Sequence, residues 1–131
     1  MIIINAYSKK KDGNKKLSTN FKLKEFACKD GSDTVFVAPE LVEVVQKIRD
    51  YFGKPVHINS GYRTDSYNKK IGGATYSQHM YGVAVDIHIN GVKPRKIAEY
   101  VETLLPDKGG IGIYKNFVHV DVREQKTRWV D

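Results

Sequence analysis

The chain has 131 residues, 40% of them hydrophobic, and a formal charge of +7 at neutral pH; this length suits one compact domain with a real core and excludes two ordinary ones. Its single cysteine, Cys28, excludes an intrachain disulfide and any four-cysteine zinc motif. No apolar run approaches the length of a membrane-spanning helix. We therefore predict one domain over residues 1–131, with a strand and a basic loop over 1–20 and the main core over 21–131.

Lysines concentrate near the amino terminus, around the turn-forming sequence Asp12-Gly13-Asn14. They are Lys9, Lys10, Lys11, Lys15 and Lys16. This composition predicts a lysine-rich hairpin or loop. Two interpretations stay open, a solvated loop and a loop that attracts an anionic polymer. No helix-turn-helix, basic zipper or aromatic RNA-binding signature accompanies the charge, so we expect no nucleic-acid partner.

Two amphipathic helices are predicted further along the chain. Apolar residues recur at helical spacing from Pro39 to Phe52, and Gly53 is a suitable stop. A second helix begins at Pro94 and ends before Pro106. The apolar stripe of each helix is expected to pack on the core. The intervening sequence predicts a strand over residues 54–59 and a short helix over residues 65–71.

Two later segments alternate between apolar and polar residues, which is typical of half-buried strands. In the first, which follows Gly82, valine and isoleucine alternate with Ala84, Asp86 and His88. In the second, residues 117–122, valines alternate with Phe117, His119 and Asp121. If the strands are antiparallel neighbours, directly opposed Cβ atoms lie about 4.5–5.5 Å apart. Asp86 and His119 are then close enough to hold one ion.

His79 is the third candidate ligand, seven residues before Asp86. One continuous helix would separate the two by about 10.5 Å, at about 1.5 Å per residue, which is too far to share an ion. The chain must therefore turn between them, and Gly82 permits a turn. Two imidazoles and one carboxylate, with a fourth position left for water, are typical of a catalytic zinc site. We predict one Zn²⁺ per chain, bound by His79, Asp86 and His119.

Each of these residues also has an ordinary structural interpretation. A lone histidine is usually not a ligand, and we expect His57 and His88 to be structural or surface residues. Asp86 could be an edge or capping carboxylate. An acid between Val85 and Ile87 nevertheless needs a partner if it is buried, because an unpaired buried carboxylate is strongly disfavoured.

Several motifs occur together over most of the chain. They are Ser60-Gly61-Tyr62-Arg63, Tyr67-Asn68, Gly72-Gly73-Ala74, SxHxxGxAxD over residues 77–86, Gly110-x-Gly112-x-Tyr114 and Phe117-Val118-His119-Val120-Asp121. From about Phe21 to Trp129, the chain resembles the zinc D-Ala-D-Ala carboxypeptidase family, whose relatives include vancomycin-resistance D,D-dipeptidases, phage endolysins that cut stem peptides and, distantly, the Hedgehog domain. The resemblance implies zinc on His79, Asp86 and His119. It also implies an Arg63 that contacts the substrate near the scissile bond, with Ser77 at the edge of the site.

The chain departs from that family where a proton acceptor is expected. Several branches carry a Glu or Asp three residues before the second histidine ligand, and this position is Asn116 here. Other branches carry an HxH pair whose first histidine assists catalysis, and this position is Phe117. Asp121 shares a strand face with His119 and is our candidate base. Orienting a ligand histidine is an equally open role for Asp121.

The fold expected from these elements is α+β, with two main helices on one face of an antiparallel sheet and the zinc site on the other, like the Hedgehog and D,D-peptidase folds. We expect a zinc metallopeptidase of the D,D-carboxypeptidase or endopeptidase type, which hydrolyses a peptide bond in peptidoglycan stem peptides or cross-links by metal-activated water. Arg63 would hold a substrate carboxylate or the developing oxyanion. The alternative is a non-catalytic, zinc-stabilised domain that binds cell wall or glycan.

The amino-terminal apolar run, Met1-Ile2-Ile3-Ile4, is shorter than a signal-peptide core and follows no basic segment. We therefore expect a protein made in the cytoplasm without a signal peptide, which acts on the bacterial cell wall as a phage or prophage lysin does. The expected partners are a peptidoglycan peptide and, through the lysine-rich loop, anionic wall polymers. We expect a monomer with no membrane span.

Overall fold

The computed structural model describes all 131 residues as a mixed α/β fold. In chain order the elements are β1 (Asn5–Ser8), α1 (Lys9–Asp12), β2 (Lys16–Ser18), β3 (Phe21–Lys22), a 3₁₀ turn (Leu23–Phe26), β4 (Thr34–Val37), α2 (Pro39–Phe52), β5 (His57–Ser60), α3 (Asp65–Lys70), a second 3₁₀ turn (Gln78–Tyr81), β6 (Ala84–His88), α4 (Pro94–Leu104), β7 (Gly110–Ile113), β8 (Val118–Asp121) and β9 (Thr127–Val130). None of the helices has the length and apolar character needed to cross a bilayer.

The central sheet has five strands in the order β5-β6-β8-β7-β9. Its first three neighbouring pairs are antiparallel, as predicted, and β9 pairs with β7 in parallel. The prediction of an entirely antiparallel sheet is therefore wrong at this edge. The chain leaves β8, passes the amino end of β7, where Gly109 N–H donates to the Arg123 carbonyl at 2.8 Å, and reverses. Because β8 runs opposite to β7, this reversal makes β9 run alongside β7.

The main core lies between this sheet and the two long helices. Valines and isoleucines of β6 and β8 are fully buried and share one cluster with α2 and α4. The alternation within β6 and β8 places Asp86 and His119 on the opposite face of the sheet. Helix α2 begins at Pro39 and ends at Gly53, which adopts a left-handed conformation with φ 64°, as the sequence predicted.

Two small ribbons, β1 with β4 and β2 with β3, contribute Val35, Val37 and Phe21 to the core. The predicted lysine-rich loop begins as a one-turn helix, Lys9–Asp12, because the Ser8 hydroxyl accepts from the Lys11 N–H at 3.2 Å and caps it. Asp33 accepts from the Ser8 hydroxyl and from the Lys10 N–H, both at 2.7 Å. The segment is therefore anchored to the loop before β4, and its lysine side chains stay largely exposed.

Candidate metal centre

A single cross-strand row runs through all five strands of the sheet. Ser60 of β5 is paired with Asp86 of β6, which is opposite His119 of β8; His119 is opposite Gly112 of β7, which is paired with Trp129 of β9. Two of the candidate ligands therefore occupy the middle of the row, as direct antiparallel neighbours. The residues at both ends build the walls of the site.

His79 reaches this row from the 3₁₀ turn before β6. Gly82 ends that turn in a left-handed conformation with φ 74°, which is the reversal that the sequence required. The ligand atoms of His79, Asp86 and His119 all lie within 4.8 Å of one another, and all three residues are buried. His79 Nε2 is 3.2 Å and His119 Nδ1 is 3.0 Å from the same oxygen, Asp86 Oδ1.

Both imidazoles place each of their ring nitrogens against an oxygen acceptor. The second nitrogen of His79, Nδ1, is 2.8 Å from the Gly61 carbonyl oxygen, and the second nitrogen of His119, Nε2, is 2.8 Å from Asp121 Oδ2. A neutral imidazole has one N–H and one lone pair, so it can satisfy only one of its two acceptors. The remaining lone pairs point at Asp86, an arrangement that requires either protonated histidines or a cation between them. Two imidazoles and a carboxylate are a ligand set that suits Zn²⁺.

The pKa shifts of Asp86 and His119 agree with this need for positive charge. Burial alone raises the pKa of Asp86, but the hydrogen bonds with His119 and His79 outweigh it and hold the pKa well below its ordinary value. Burial alone lowers the pKa of His119, but its hydrogen bonds with Asp121 and Asp86 outweigh burial and raise that pKa. The carboxylates thus stay ionised and attract a proton or a cation to the space between the rings.

Arg63 joins the site through the second oxygen of Asp86. Its Nη2 donates to Asp86 Oδ2 at 3.3 Å, its Nε to the Ser60 hydroxyl at 3.1 Å and its Nη1 to Asn68 Oδ1 at 3.2 Å. The Arg63 N–H also donates to the His79 carbonyl at 3.1 Å. A guanidinium carries five N–H donors, so these contacts fix its plane and leave two for another ligand. Asn68, which is 1% exposed, is a site residue to which the sequence analysis gave no role.

Asp121 is fully buried on the far side of the His119 ring from Asp86. Its carboxylate accepts from the Gly110 N–H at 2.9 Å, from the Arg123 N–H at 3.1 Å and from the Arg123 guanidinium at 2.6 Å. Burial alone raises the pKa of Asp121, but the hydrogen bonds with His119 and Arg123 lower it well below its ordinary value. This geometry favours the orienting role over the role of base, because the carboxylate is saturated with donors and faces the nitrogen of His119 that points away from His79 and Asp86.

An aromatic wall closes the other side of the site. The Trp129 ring lies 5.1 Å from the His119 ring, and its Nε1 donates to the Tyr114 hydroxyl at 3.0 Å. Tyr114 stacks on Phe117 with ring centroids 4.4 Å apart. The sequence analysis missed Trp129 because it predicted no strand over Thr127–Val130. The β-branched and aromatic residues of this short segment were the signal that could have indicated one. Gly112 was a second signal, because a glycine within a strand often marks a close approach of another group, and a Cβ there would lie 2.3 Å from the Trp129 ring.

The candidate ligands open onto a cavity of about 400 Å³. Its lining includes the predicted site residues Arg63 and Ser77 together with the aromatic wall. The Ser77 hydroxyl accepts from the His79 N–H at 3.3 Å, so Ser77 supports the turn that carries this candidate ligand. His57 and His88 lie outside the cavity and stack on each other, with ring centroids 4.7 Å apart.

Comparison with known proteins shows to which family the chain belongs. The sequence model described as Peptidase M15 matches residues 19–121. Peptidoglycan L,D-endopeptidase MepK of Escherichia coli is 34% identical over 94 residues, covering 65% of this chain and 50% of that protein. Zinc D-Ala-D-Ala carboxypeptidase of Streptomyces albus G is 43% identical over 44 residues, covering 33% of this chain and 17% of that protein.

A third relative is the probable peptidoglycan L,D-endopeptidase MepK of Haemophilus influenzae, which is 35% identical over 79 residues, or 55% of this chain and 41% of that protein. The chain spans half the length or less of these curated relatives. The matched residues 19–121 include all three candidate ligands and most of the central sheet. The resemblance predicted from the motifs is therefore confirmed, and the chain belongs to the peptidase M15 family.

Proposed function

We propose that the chain is a zinc-dependent peptidoglycan peptidase in which His79, Asp86 and His119 hold the metal. The observation that carries the proposal is that both imidazoles direct a ring nitrogen at the same carboxylate oxygen while the other nitrogen faces a second acceptor. A divalent cation between them satisfies every lone pair at once. The family and its peptidoglycan-cutting relatives support the substrate class.

Bound zinc would act as a Lewis acid that polarises a carbonyl and lowers the pKa of a bound water to about 7. The chain's own residues do the positioning. His79 offers Nε2, because its Nδ1 donates to the Gly61 carbonyl. His119 offers Nδ1, because Asp121 holds its Nε2 in the protonated form. Arg63 keeps two donors free beside Asp86 for an oxygen of the substrate.

The pairing of the arginine side chains in the cavity supports an endopeptidase best. A carboxypeptidase must bind a substrate's terminal carboxylate, for which an uncompensated cation is suited. Both arginines of the cavity are already paired, Arg63 with Asp86 and Arg123 with Asp121. The L,D-endopeptidase relative also covers more of this chain than the carboxypeptidase relative. A carboxypeptidase is the second candidate, because Arg63 has two N–H donors without a protein acceptor and a guanidinium suits a carboxylate.

The deciding experiment is digestion of purified peptidoglycan by the zinc-loaded protein, followed by mass spectrometry of the products. We expect the activity to disappear with a chelator and to return with zinc. Opened cross-links without free D-alanine identify an endopeptidase, and release of a terminal D-alanine identifies a carboxypeptidase. A zinc-loaded protein that binds peptidoglycan and cuts nothing would instead be the non-catalytic wall-binding domain.

Metal content tests the ligand assignment separately from activity. His79→Ala, Asp86→Ala and His119→Ala should each lose the single zinc ion, because two ligands rarely hold it. His57→Ala and His88→Ala are matched controls on the same sheet and should keep it. Full zinc occupancy in any of the three ligand variants removes that residue from the ligand set.

The lysine-rich segment is proposed to bring the enzyme to anionic wall polymers. The lysines that form ion pairs in the structure all follow residue 40, so the five early lysines keep their charge available. Lys9→Gln, Lys10→Gln and Lys11→Gln combined should weaken sedimentation with cell walls at low salt and leave cleavage of a short soluble peptide unchanged. Equal wall binding by this variant would make the segment a solvated surface.

A further inference from the structure

The turn between β7 and β8 carries a tyrosine whose ring is fixed on two sides. The Tyr114 N–H donates to the Phe117 carbonyl at 3.0 Å, which closes the turn. The two rings then stack, with centroids 4.4 Å apart and an angle of 8° between their planes. Both residues line the cavity of the candidate ligands. The Tyr114 hydroxyl is therefore a polar group held at the edge of the site by a rigid ring.

The direction of its hydrogen bond to Trp129 is fixed by chemistry. An indole Nε1–H can only donate, so at 3.0 Å the Tyr114 oxygen must be the acceptor. A tyrosine hydroxyl both donates and accepts. Its own hydrogen cannot point toward Trp129, and the structure gives it no protein acceptor. The Tyr114 O–H is thus a donor left for a group inside the cavity.

The indole that imposes this direction is itself held in place. It lies against His119 with ring centroids 5.1 Å apart, and the Arg123 guanidinium lies 5.7 Å from the ring. Gly112 leaves the space that the indole fills, because a Cβ there would be 2.3 Å from a ring atom. One indole therefore connects a candidate zinc ligand with the tyrosine hydroxyl, and neither group can turn without disturbing it.

We propose that the Tyr114 hydroxyl is a catalytic hydrogen-bond donor to the carbonyl oxygen of the scissile peptide bond, on which negative charge grows as the bond is attacked. The proposal rests on the peptidase activity proposed above. In the strand order, Tyr114 follows β7 and Arg63 follows β5, so the two donors flank the ligand strands β6 and β8. On that side Asn116 and Phe117 carry no acidic or basic group, and Arg123 already donates to the Asp121 carboxylate through Nε and Nη2, so Tyr114 is the oriented donor that no protein acceptor occupies. A preorganised donor of this kind contributes mainly to kcat.

The test is Tyr114→Phe in the zinc-loaded protein, with Tyr51→Phe, an exposed tyrosine outside the cavity, as the matched control. We expect kcat on a peptidoglycan stem peptide to fall by about 10²–10³-fold, the effect of removing one oxyanion donor, with KM and zinc content unchanged. The chain has a single tryptophan, so its fluorescence reports Trp129 alone. A changed emission in Tyr114→Phe, and not in the control, verifies the Trp129–Tyr114 hydrogen bond without relying on activity.

Three results would overturn the proposal. Wild-type kcat in zinc-loaded Tyr114→Phe means that the hydroxyl takes no part in the reaction. A raised KM with unchanged kcat makes Tyr114 a wall of the substrate site, and lost zinc makes it a structural support of His119. Inactivity of the zinc-loaded wild-type protein would refute the peptidase proposal, and the emission readout would then still decide whether the hydrogen bond exists.

Discussion

Replacing Asp121 by Asn separates the two roles that the sequence left open for this residue. The substitution keeps the shape of the side chain and removes one acceptor oxygen and the negative charge. At present one carboxylate accepts from Gly110, Arg123 and His119. An amide has a single oxygen, so it cannot accept from all of them, and its NH₂ group must face another donor. The His119 ring then loses the partner that fixes its tautomer and its plane.

The expected loss follows from how buried each partner is. Asp121 is fully buried, whereas the Arg123 side chain is 26% exposed and can recover some hydration. Breaking a buried ion pair typically costs 3–5 kcal/mol, and the exposure of Arg123 places the loss of folding stability at the lower end, about 3 kcal/mol. Loss of the carboxylate that orients a ligand histidine typically weakens metal binding by about 10–100-fold, which corresponds to about 1.4–2.7 kcal/mol.

Zinc affinity, measured by competition with a chromophoric chelator, is the direct assay for Asp121→Asn. We expect affinity to fall by that factor, and kcat at saturating zinc to fall far less than the 10²–10⁴-fold expected for loss of a general base. Arg123→Gln is the matched control, because it removes a partner of Asp121 and leaves the carboxylate facing His119; it should weaken zinc binding less. Unchanged zinc affinity combined with a 100-fold lower kcat would refute this reasoning and make Asp121 the base.

Three further predictions follow from the same contacts. Arg63→Lys should keep zinc and lose about 2 kcal/mol of transition-state stabilisation, or about 30-fold in kcat/KM, because the compact ammonium of a lysine does not reproduce the planar fork of donors with which Arg63 reaches Asp86, Ser60 and Asn68; a wild-type value would contradict the assignment. The metal-free protein should lose thermal stability below pH 3.8, because the Asp86 carboxylate, whose pKa is lowered, stabilises the fold only while it is ionised. It should lose stability again above pH 6.5, because His119, whose pKa is raised, then loses its proton. Zinc should abolish the second decline, and a melting temperature that does not change with pH would argue against both pKa shifts. Gly112→Ala should destabilise the fold by about 1–3 kcal/mol and change the Trp129 emission, because the added Cβ would lie 2.3 Å from the ring; unaltered emission would show that the indole does not occupy this space.

The parts of the site that could be predicted from the sequence are those that depend on the pattern of neighbouring residues. The alternation in β6 and β8 predicted that Asp86 and His119 would be opposed, and the structure pairs them directly. The seven-residue separation from His79 required a turn, and Gly82 makes it. The alternation could not show that β9 pairs with β7 in parallel, because that pairing depends on how the chain reverses after β8. Trp129 and its hydrogen bond to Tyr114 were missed because no strand was predicted over Thr127–Val130.

Strand β7 explains how a small sheet can hold both the candidate metal site and the residues that contact His119 from behind it. Its positions facing the site are Gly110 and Gly112, and a Cβ at either would collide, with the Asp121 carboxylate in the first case and with the Trp129 ring in the second. The missing side chains let Asp121 accept from the Gly110 N–H and let the indole cross β7 to reach His119. Because Asp121 and Trp129 both need this space to contact His119, a larger residue at Gly110 or Gly112 should disturb this candidate ligand without contacting it. In the pattern Gly110-x-Gly112-x-Tyr114, the two glycines therefore leave space for Asp121 and for the Trp129 ring. The tyrosine that follows carries the hydroxyl that Trp129 orients.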